Sequence, residues 1–254
     1  MQKYEKSEKI LYGGCRKQFC KFGSKIMQEI PVIVISSTIP NVGKTTLALN
    51  LSAALWSDNY KVKLFAPHNA KVRYFLEQRQ NLCRQTGVEL PMPELIEQID
   101  NNDEPAEKTV IIADIPTAEN EKYAAVFAKA HTLITVATEN ADLHWPLTHP
   151  YVSLIWEAKK NIAARGIKYL NWIVVLNQIN GEGADGTLQL QDAVKRFGFR
   201  LAEPLHYRPA FQYIENGYCA ADMAQFRKLF KMSMSDVYAR REILTLTDFL
   251  WQSR

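Results

Sequence analysis

Short apolar runs rich in β-branched residues alternate along the chain with longer segments of helical periodicity. The run at 31–36, for example, is typical of a strand buried on both faces of a parallel sheet. Five such runs predict strands. They cover residues 31–36, 60–66, 109–114, 132–137 and 172–176. A further short strand is predicted at 199–204.

The segments between these runs carry apolar side chains at helical spacing. They predict helices over residues 45–57, 72–87, 119–129, 152–165 and 188–197, with a mostly helical remainder up to Trp251. Alternating strands and helices predict a single doubly wound α/β domain, in which a mostly parallel twisted sheet has helices on both faces. We expect its central strands to contain Ile33, Val34, Ile111, Ile112, Val174 and Val175.

The first 30 residues differ from the rest of the chain. They contain seven Lys or Arg residues against three Glu, and little periodicity. Met27 stands just before the first strand, so one interpretation is an upstream extension that is not native, with Met27 as the alternative start. A basic arm that contacts nucleic acid is the other interpretation. The α/β domain is then expected to span residues 31–254.

The composition is typical of a globular domain and does not indicate a particular function. Apolar residues make up 47% of the chain and charged residues 23%, which is normal for a globular domain. The net charge of +4 permits contact with nucleic acid or a membrane surface without arguing for either. No apolar run is long enough to cross a bilayer, and no apolar segment follows the basic N-terminus. We therefore expect a cytoplasmic protein without a transmembrane segment.

The four cysteines are scattered and show no C-x-x-C spacing: Cys15, Cys20, Cys83 and Cys219. This spacing argues against a zinc site or a disulfide framework. Free thiols in a reducing compartment are the expected state.

The segment with the clearest chemistry lies between the first strand and the first helix. Residues 37–46 read Ser-Thr-Ile-Pro-Asn-Val-Gly-Lys-Thr-Thr. A phosphate loop needs backbone N–H groups at a helix N-terminus and a lysine along the phosphates, and its usual pattern is G-x-x-x-x-G-K-[ST]. Thr38 takes the first glycine position, so the loop is a deviant one. A chance Gly-Lys-Thr-Thr at a helix start is the competing interpretation. The residues predicted to contact the nucleotide here are Thr38, Asn41, Val42, Gly43, Lys44, Thr45 and Thr46.

Asp114 ends a buried strand, as the Walker-B carboxylate of a P-loop protein does. In that role it holds Mg²⁺ through water, opposite the Thr45 hydroxyl, which ligates the ion directly. Thr45 and Asp114 are therefore the predicted metal pair. An ordinary aspartate in a turn after a strand is the alternative.

Val-Gly-Lys-Thr-Thr at 42–46, followed by Leu-Ala-Leu-Asn-Leu, resembles the loop of the ParA/MinD family of deviant Walker-A P-loop NTPases. Within that family the chain is most similar to the MipZ ATPases, which position the division plane in some bacteria. The further segments that carry the resemblance occur in the same order along the chain, at 74–79, 89–93, 153–157, 171–177 and 196–200.

The resemblance implies an ATP-dependent sandwich homodimer that binds nonspecific DNA, engages the partition protein ParB and restrains FtsZ. It implies ATP or ADP with Mg²⁺ as ligands, and it places Asn177 where the family recognises adenine. An amide offers both a donor and an acceptor to a purine edge, although an Asn in a turn is an alternative. The basic residues we consider for DNA contact are Arg165, Lys168, Lys195, Arg196, Arg200 and Arg208.

Several departures from the family pattern concern hydrolysis. The signature lysine, which reaches the partner subunit's phosphates, is replaced by Ile39, and the carboxylate that orients the attacking water by Ala66. Pro40 stands in the loop where the family has a glycine pair. The catalytic residue is therefore unknown, with His68 as a weak candidate base. We expect nucleotide binding to persist and hydrolysis to be weak or lost.

Two other functions stay open. The loop also resembles that of dethiobiotin synthetase, a metabolic enzyme, but Phe65-Ala-Pro67 lacks the lysine which that family has after its second strand. A nucleotide-free scaffold that keeps only the fold and its partner surfaces is the second alternative. Retention of Lys44, Thr45 and Asp114 argues against it.

Overall fold

A single seven-stranded sheet organises the computed structural model, which describes residues 29–99, 108–138, 149–181, 184–225 and 231–252. The strand order is β3-β2-β4-β1-β5-β6-β7, and every neighbouring pair is parallel. The strands are β1 (Val32–Ser36), β2 (Lys61–Phe65), β3 (Glu94–Ile96), β4 (Thr109–Asp114), β5 (Thr132–Thr138), β6 (Asn171–Asn177) and β7 (Arg200–Leu201).

Six α-helices connect or follow these strands. They are α1 (Lys44–Ser57), α2 (Ala70–Thr86), α3 (Ala124–Lys129), α4 (His149–Ala164), α5 (Ala184–Phe197) and α6 (Met234–Trp251). Three 3-10 segments complete the described elements, at Thr117–Glu119, Pro209–Asn216 and Ala220–Ala224.

Alternate residues of each central strand face opposite hydrophobic layers. In β1, Ile33 and Ile35 pack with α1, α2 and α6, whereas Val32 and Val34 pack with α3, α4 and α5. Both faces of the sheet are covered, which is why the central strands read as unbroken apolar runs. The predicted α/β fold with a parallel sheet and helices on both faces is confirmed.

The six residues expected on central strands are all almost completely buried, on β1, β4 and β6. The predicted element bounds match the structure closely for β1, β4, β5 and α1. Gly87 ends α2 with a φ of 68°, the left-handed conformation expected after a helix.

The predicted helix at 119–129 is wrong in its first half. The chain instead forms the short turn Thr117–Glu119, and α3 begins only at Ala124. The Asn120 side chain explains the interruption, because its Nδ2 donates to the carbonyl oxygens of Ser37 and Thr117. Such side-chain bonds to the backbone compete with helix formation.

Other parts of the chain also differ from the sequence prediction. The strand expected at 199–204 is only Arg200–Leu201, and the helical C-terminal remainder includes two 3-10 segments before α6. Strand β3 was not predicted, because it is three residues long and two of them are exposed. Residues 1–28, which include Met27 and most of the predicted extension, lie outside the described residues.

A buried ion pair ties α2 to the segment between β7 and α6. Arg79 is 1% exposed and donates to both carboxylate oxygens of Asp222, at 2.6 and 2.9 Å. It also donates to the Gly217 carbonyl at 3.0 Å. Asp222 in turn accepts from the Cys219 backbone N–H at 2.8 Å. Each charge in this pair is therefore paired and hydrogen-bonded, as a buried charge must be.

Replacing Arg79 with Met should destabilise the fold by about 3–5 kcal/mol, because the substitution leaves the Asp222 carboxylate buried without its cation. Urea unfolding followed by circular dichroism measures the change.

The matched control is Lys122→Met, which removes an exposed partner of Glu119 and should leave the free energy of unfolding almost unchanged, because solvent screens such a surface pair. Equal losses for the two variants would contradict a special role for the buried pair.

Candidate functional site

The loop between β1 and α1 lies at the carboxyl end of the central strand. The neighbours of β1 are β4 on one side and β5 on the other, so this edge is the switch point at which ligands bind in open parallel sheets. Ser37 Oγ accepts from the Ile39 N–H at 3.0 Å and holds the first bend. Asn41 and Gly43 have φ values of 60° and 88°, so the loop turns twice through the left-handed region. The N-terminus of α1 then opens onto the loop.

A side chain at Gly43 would force Asn177 to move. A Cβ atom on Gly43 would collide with Asn177 Nδ2 at the end of β6. Asn177 Nδ2 donates to the Val42 carbonyl at 2.8 Å, and Gln178 Nε2 donates to the Asn41 carbonyl at 3.3 Å. The glycine therefore serves the packing of the loop against β6, besides its left-handed backbone.

Thr45 and Asp114, the predicted metal pair, are in direct contact. The Thr45 hydroxyl donates to Asp114 Oδ2 at 2.6 Å. Asp114 is 3% exposed at the end of β4, and Thr45 lies in the first turn of α1. Asn69 Nδ2 donates to both groups, at 3.0 Å to Thr45 Oγ1 and 2.9 Å to Asp114 Oδ2.

The Lys44 ammonium group contacts the segment after β4. Its Nζ donates to Thr117 Oγ1, and the Thr117 hydroxyl donates to the Ile39 carbonyl at 3.2 Å. Burial lowers the pKa of Lys44, and the negative charge of Asp114 opposes part of that change. The lysine thus spans the opening of the loop.

Burial raises the pKa of the Asp114 carboxyl, against the opposing effects of the Thr45 hydroxyl, the Lys44 charge and the Asn69 amide. The burial of both Lys44 and Asp114 disfavours their charged forms, which means that the site lacks counter-charge. An anion beside Lys44 and a cation beside Asp114 would supply it.

The groups present fit a nucleotide with a divalent cation. The hydroxyl and the carboxylate are the oxygen ligands that Mg²⁺ takes. Thr38 Oγ1, at the first position of the loop, is buried and finds no hydrogen-bond partner in the described part of the chain. A phosphate oxygen would satisfy such a donor.

A pocket adjoins the loop on the side of Gly43. Its floor contains Asn50, whose Oδ1 accepts from the Ala220 N–H and whose Nδ2 donates to the Thr46 carbonyl, each at 2.8 Å. Polar and aromatic side chains form much of the remaining lining: Asn177, Gln178, His206, Tyr207, Arg208, Phe211 and Gln212. The aliphatic side chains of Leu47, Leu205 and Ile243 also line it.

Glu242 of α6 organises the outer wall of this pocket. Its Oε1 receives Arg208 Nη2 at 2.6 Å and lies 2.9 Å from His206 Nδ1. The carboxylate itself does not line the pocket.

The family model described as ATPase MipZ matches residues 126–252, which is half of the chain. The chain belongs to the MipZ ATPase family. The matched range begins within α3 and extends through α6, so it follows the phosphate loop and Asp114 in sequence and includes Asn177. The chain matches no curated protein.

Solved structures of related ATPases share the fold. A McdA–ATP complex from Cyanothece has 13% identity, a TM-score of 0.57 and coverage of 89% of this chain and 99% of its own. The MinC:MinD cell division complex from Aquifex aeolicus has 17% identity and a TM-score of 0.54, and the match covers 88% of this chain and 97% of its own. MinD with Mg-ADP from Pyrococcus horikoshii has 13% identity and a TM-score of 0.51, and the match covers 88% of this chain and 96% of its own.

Ile39 and Ala66, two of the positions that depart from the family pattern, are apolar and packed. Ile39 is partly buried and contacts both hydrophobic layers, and Ala66 is 6% exposed in the layer under α1. His68 is exposed in the loop after β2, with a φ of 55°. The described contacts give His68 no partner at the Thr45–Asp114 pair.

Two residues of the site were missed at the sequence level. Thr117 follows the Walker-B strand, and no sequence pattern distinguishes its hydroxyl. Asn69 had a usable signal, because an Asn directly before a helical segment is a favoured N-cap. The predicted helix began at 72 rather than Ala70, so the cap was overlooked.

The six basic residues considered for DNA contact fall into two groups: three that contact other side chains or the backbone, and three that are exposed. Arg208 is paired with Glu242, Arg200 stacks on Phe249 and donates to Asn171, and Arg165 donates to the Ala128 carbonyl. The other three are exposed near the amino ends of β6 and β7, at the sheet edge opposite the phosphate loop: Lys168, Lys195 and Arg196.

The described residues contain no helix that is both long and apolar enough to span a bilayer. They also contain no cluster of three or more His, Cys, Asp or Glu side chains with metal-binding geometry.

Substituting Gly43 with Ala should destabilise the protein by about 2–4 kcal/mol, because strain in the left-handed region adds to the collision with Asn177. Chemical denaturation measures the change in the free energy of unfolding.

Gly87→Ala is the matched control, since Gly87 is also left-handed but has open space around its Cβ position. It should cost about 1 kcal/mol. Adding Asn177→Ala to Gly43→Ala should remove the collision and bring the cost of the glycine change down to the value at Gly87. A Gly43→Ala cost that is unchanged in the Asn177→Ala background would refute the packing explanation.

Proposed function

We propose that this chain binds ATP and ADP with Mg²⁺ at the loop formed by residues 38–46, and that it acts in cell-division site placement or chromosome partitioning with weak or absent hydrolysis. Membership of the MipZ family supports the biological role. The single observation that supports nucleotide binding is the cluster at the loop, where Thr45 contacts Asp114 and the half-buried Lys44 lies at the N-terminus of α1.

Each group of the loop has a defined task in this proposal. The backbone N–H groups at the start of α1 and the Lys44 ammonium bind the phosphates. Thr45 ligates Mg²⁺ directly and Asp114 holds it through water. The bound Mg²⁺ supplies positive charge that offsets the phosphates. Lys44 exchanges Thr117 Oγ1 for a phosphate oxygen.

The pocket beside Gly43 is the proposed base site. Its lining contains the amides of Asn177 and Gln178 and the aromatic rings of Tyr207 and Phe211, but no carboxylate. The adenine edge offers one donor and one acceptor, which an amide matches. A guanine edge presents adjacent N–H donors that favour a carboxylate, so this lining favours adenine.

Weak hydrolysis follows from the packing of Ile39 and Ala66. Phosphoryl transfer is accelerated by positioning water and by stabilising charge on the phosphates. Ile39 supplies no cation, and loss of such a contact reduces rates by on the order of a thousandfold. Ala66 supplies no carboxylate to orient water. Both side chains are committed to the hydrophobic layers instead.

The proposed partners come from the family and from its structural neighbours. We include an ATP-dependent homodimer, ParB-like and FtsZ-like proteins and nonspecific DNA, in the cytoplasm. MinD of Aquifex aeolicus, which shares this fold, was solved in complex with MinC, a partner protein. The exposed Lys168, Lys195 and Arg196 are the residues that remain available for a DNA backbone.

Isothermal titration with ATP and ADP in the presence of Mg²⁺ tests binding. Lys44→Ala should weaken the affinity about a hundredfold, because it removes the charge that faces the phosphates. Lys61→Ala is the control. Lys61 pairs with Glu94 at the opposite edge of the sheet, and its removal should leave the affinity unchanged.

Absence of heat with either nucleotide at millimolar concentration would reject nucleotide binding. The nucleotide-free scaffold would then be the better description of the protein. No nucleotide would displace the hydrogen bonds from Lys44 to Thr117 and from Asn177 to Val42.

Single-turnover hydrolysis tests the second half of the proposal. The wild type should cleave ATP no more than about tenfold faster than Lys44→Ala. Both proteins lack the cation at position 39 and the water-orienting carboxylate at position 66. The double variant Ile39→Lys, Ala66→Asp should be faster than the wild type if its circular dichroism spectrum shows an intact fold.

A wild-type rate at least about a hundredfold above that of Lys44→Ala would overturn weak hydrolysis. His68→Ala then identifies whether the exposed histidine acts as the base, because loss of that rate would assign it the proton transfer.

A further inference from the structure

The Asn69 side chain connects helix α2 with the Thr45–Asp114 pair, through its amide oxygen on one side and its amide nitrogen on the other. It is the N-cap of α2, where its Oδ1 accepts from the N–H groups of Lys71 and Val72 at 3.1 and 3.4 Å. Its Nδ2 reaches Thr45 Oγ1 at 3.0 Å and Asp114 Oδ2 at 2.9 Å. The side chain therefore connects the start of α2 with the start of α1 and the end of β4.

The helix cap determines which way the amide faces. Backbone N–H groups only donate, so the atom beside Lys71 and Val72 must be the oxygen. The NH₂ group then has to face Thr45 and Asp114, and a flipped amide would lose all four contacts. The orientation of the donor at the metal pair is thus set by the helix.

The hydrogen bonds also fix the Thr45 hydroxyl. A hydroxyl has one proton and two lone pairs. The proton goes to Asp114 Oδ2, and one lone pair receives Asn69 Nδ2. One lone pair remains, and it is the one that can ligate a cation.

We infer that Asn69 is the positioning residue for the metal pair: it holds Thr45 and Asp114 in the arrangement that receives the divalent cation of a bound nucleotide. The inference rests on the proposed nucleotide site. Groups that hold metal ligands by hydrogen bonds typically contribute ten- to a hundredfold to metal affinity. Asn69 touches neither phosphate nor cation in this role and acts through the two ligands.

A purely structural role for Asn69 predicts a different result. As a helix cap alone, Asn69 would be replaceable by Ser, because the two residues are about equally good caps. Ser keeps an acceptor for the N–H groups of α2 but is too short to donate to both Thr45 and Asp114. Asn69→Ser therefore separates the cap from the positioning contacts.

The experiment measures ADP affinity by titration calorimetry with excess Mg²⁺ and again in EDTA, for the wild type, Asn69→Ser and Ser233→Ala. Ser233 caps α6 by accepting from the Asp236 N–H, away from the site. Ser233→Ala should lower the melting temperature by about 2–4 °C without changing the Mg²⁺ dependence of binding.

Asn69→Ser should keep the wild-type melting temperature and the affinity in EDTA. Its gain in affinity on adding Mg²⁺ should fall by about tenfold or more relative to the wild type. If Asn69→Ser is unstable, Asn69→Thr provides the same comparison, since Thr also caps helices.

An undiminished Mg²⁺ gain in a folded Asn69 variant overturns the inference and leaves Asn69 as a cap. A wild type that binds ADP equally with and without Mg²⁺ also overturns it, while nucleotide binding stands. A wild type that binds no ADP removes both the site and the positioning role.

Discussion

Burial of β1 on both faces and between two parallel neighbours is the constraint on which the rest of the structure depends. Helices must cover both sides of a strand that has no exposed face, and parallel strands can be joined only by crossovers that return to the same edge. The carboxyl ends of β1, β4 and β6 therefore meet at one edge of the sheet. Lys44, Asp114 and Asn177, which are far apart in sequence, are brought together for this reason.

Internal hydrogen bonds hold the polar groups of that edge in place. Asn177 is bonded to the loop backbone, Asp114 to Thr45, and Lys44 to Thr117. Burial nevertheless disfavours the charges on Lys44 and Asp114. A ligand that carries both an anion and a cation relieves both, whereas an anion alone would leave the Asp114 carboxylate uncompensated. This arrangement of charges supports the proposal of a metal-bound nucleotide.

Family membership and the unusual loop concern different parts of the chain. The MipZ match covers residues 126–252, and the departures at Ile39 and Ala66 lie before it. Both residues are packed into the hydrophobic layers, so their apolar character is part of the core. A chain of this kind can keep the surfaces of its C-terminal half while the chemistry of its phosphate loop changes.

The sequence by itself determined the fold class and most of the strands, because apolar runs at this spacing are local signals. It also predicted a phosphate loop with Asp114 from a glycine–lysine turn and an aspartate at the end of a strand. It did not show β3, whose three residues have no periodicity, or the break before α3, which comes from Asn120 bonding to a distant loop. Only the tertiary structure decided that Asn69 joins α2 to Thr45 and Asp114, and that Gly43 is required by Asn177. These contacts link residues that are distant in sequence, and their geometry depends on how the strands are ordered in the sheet.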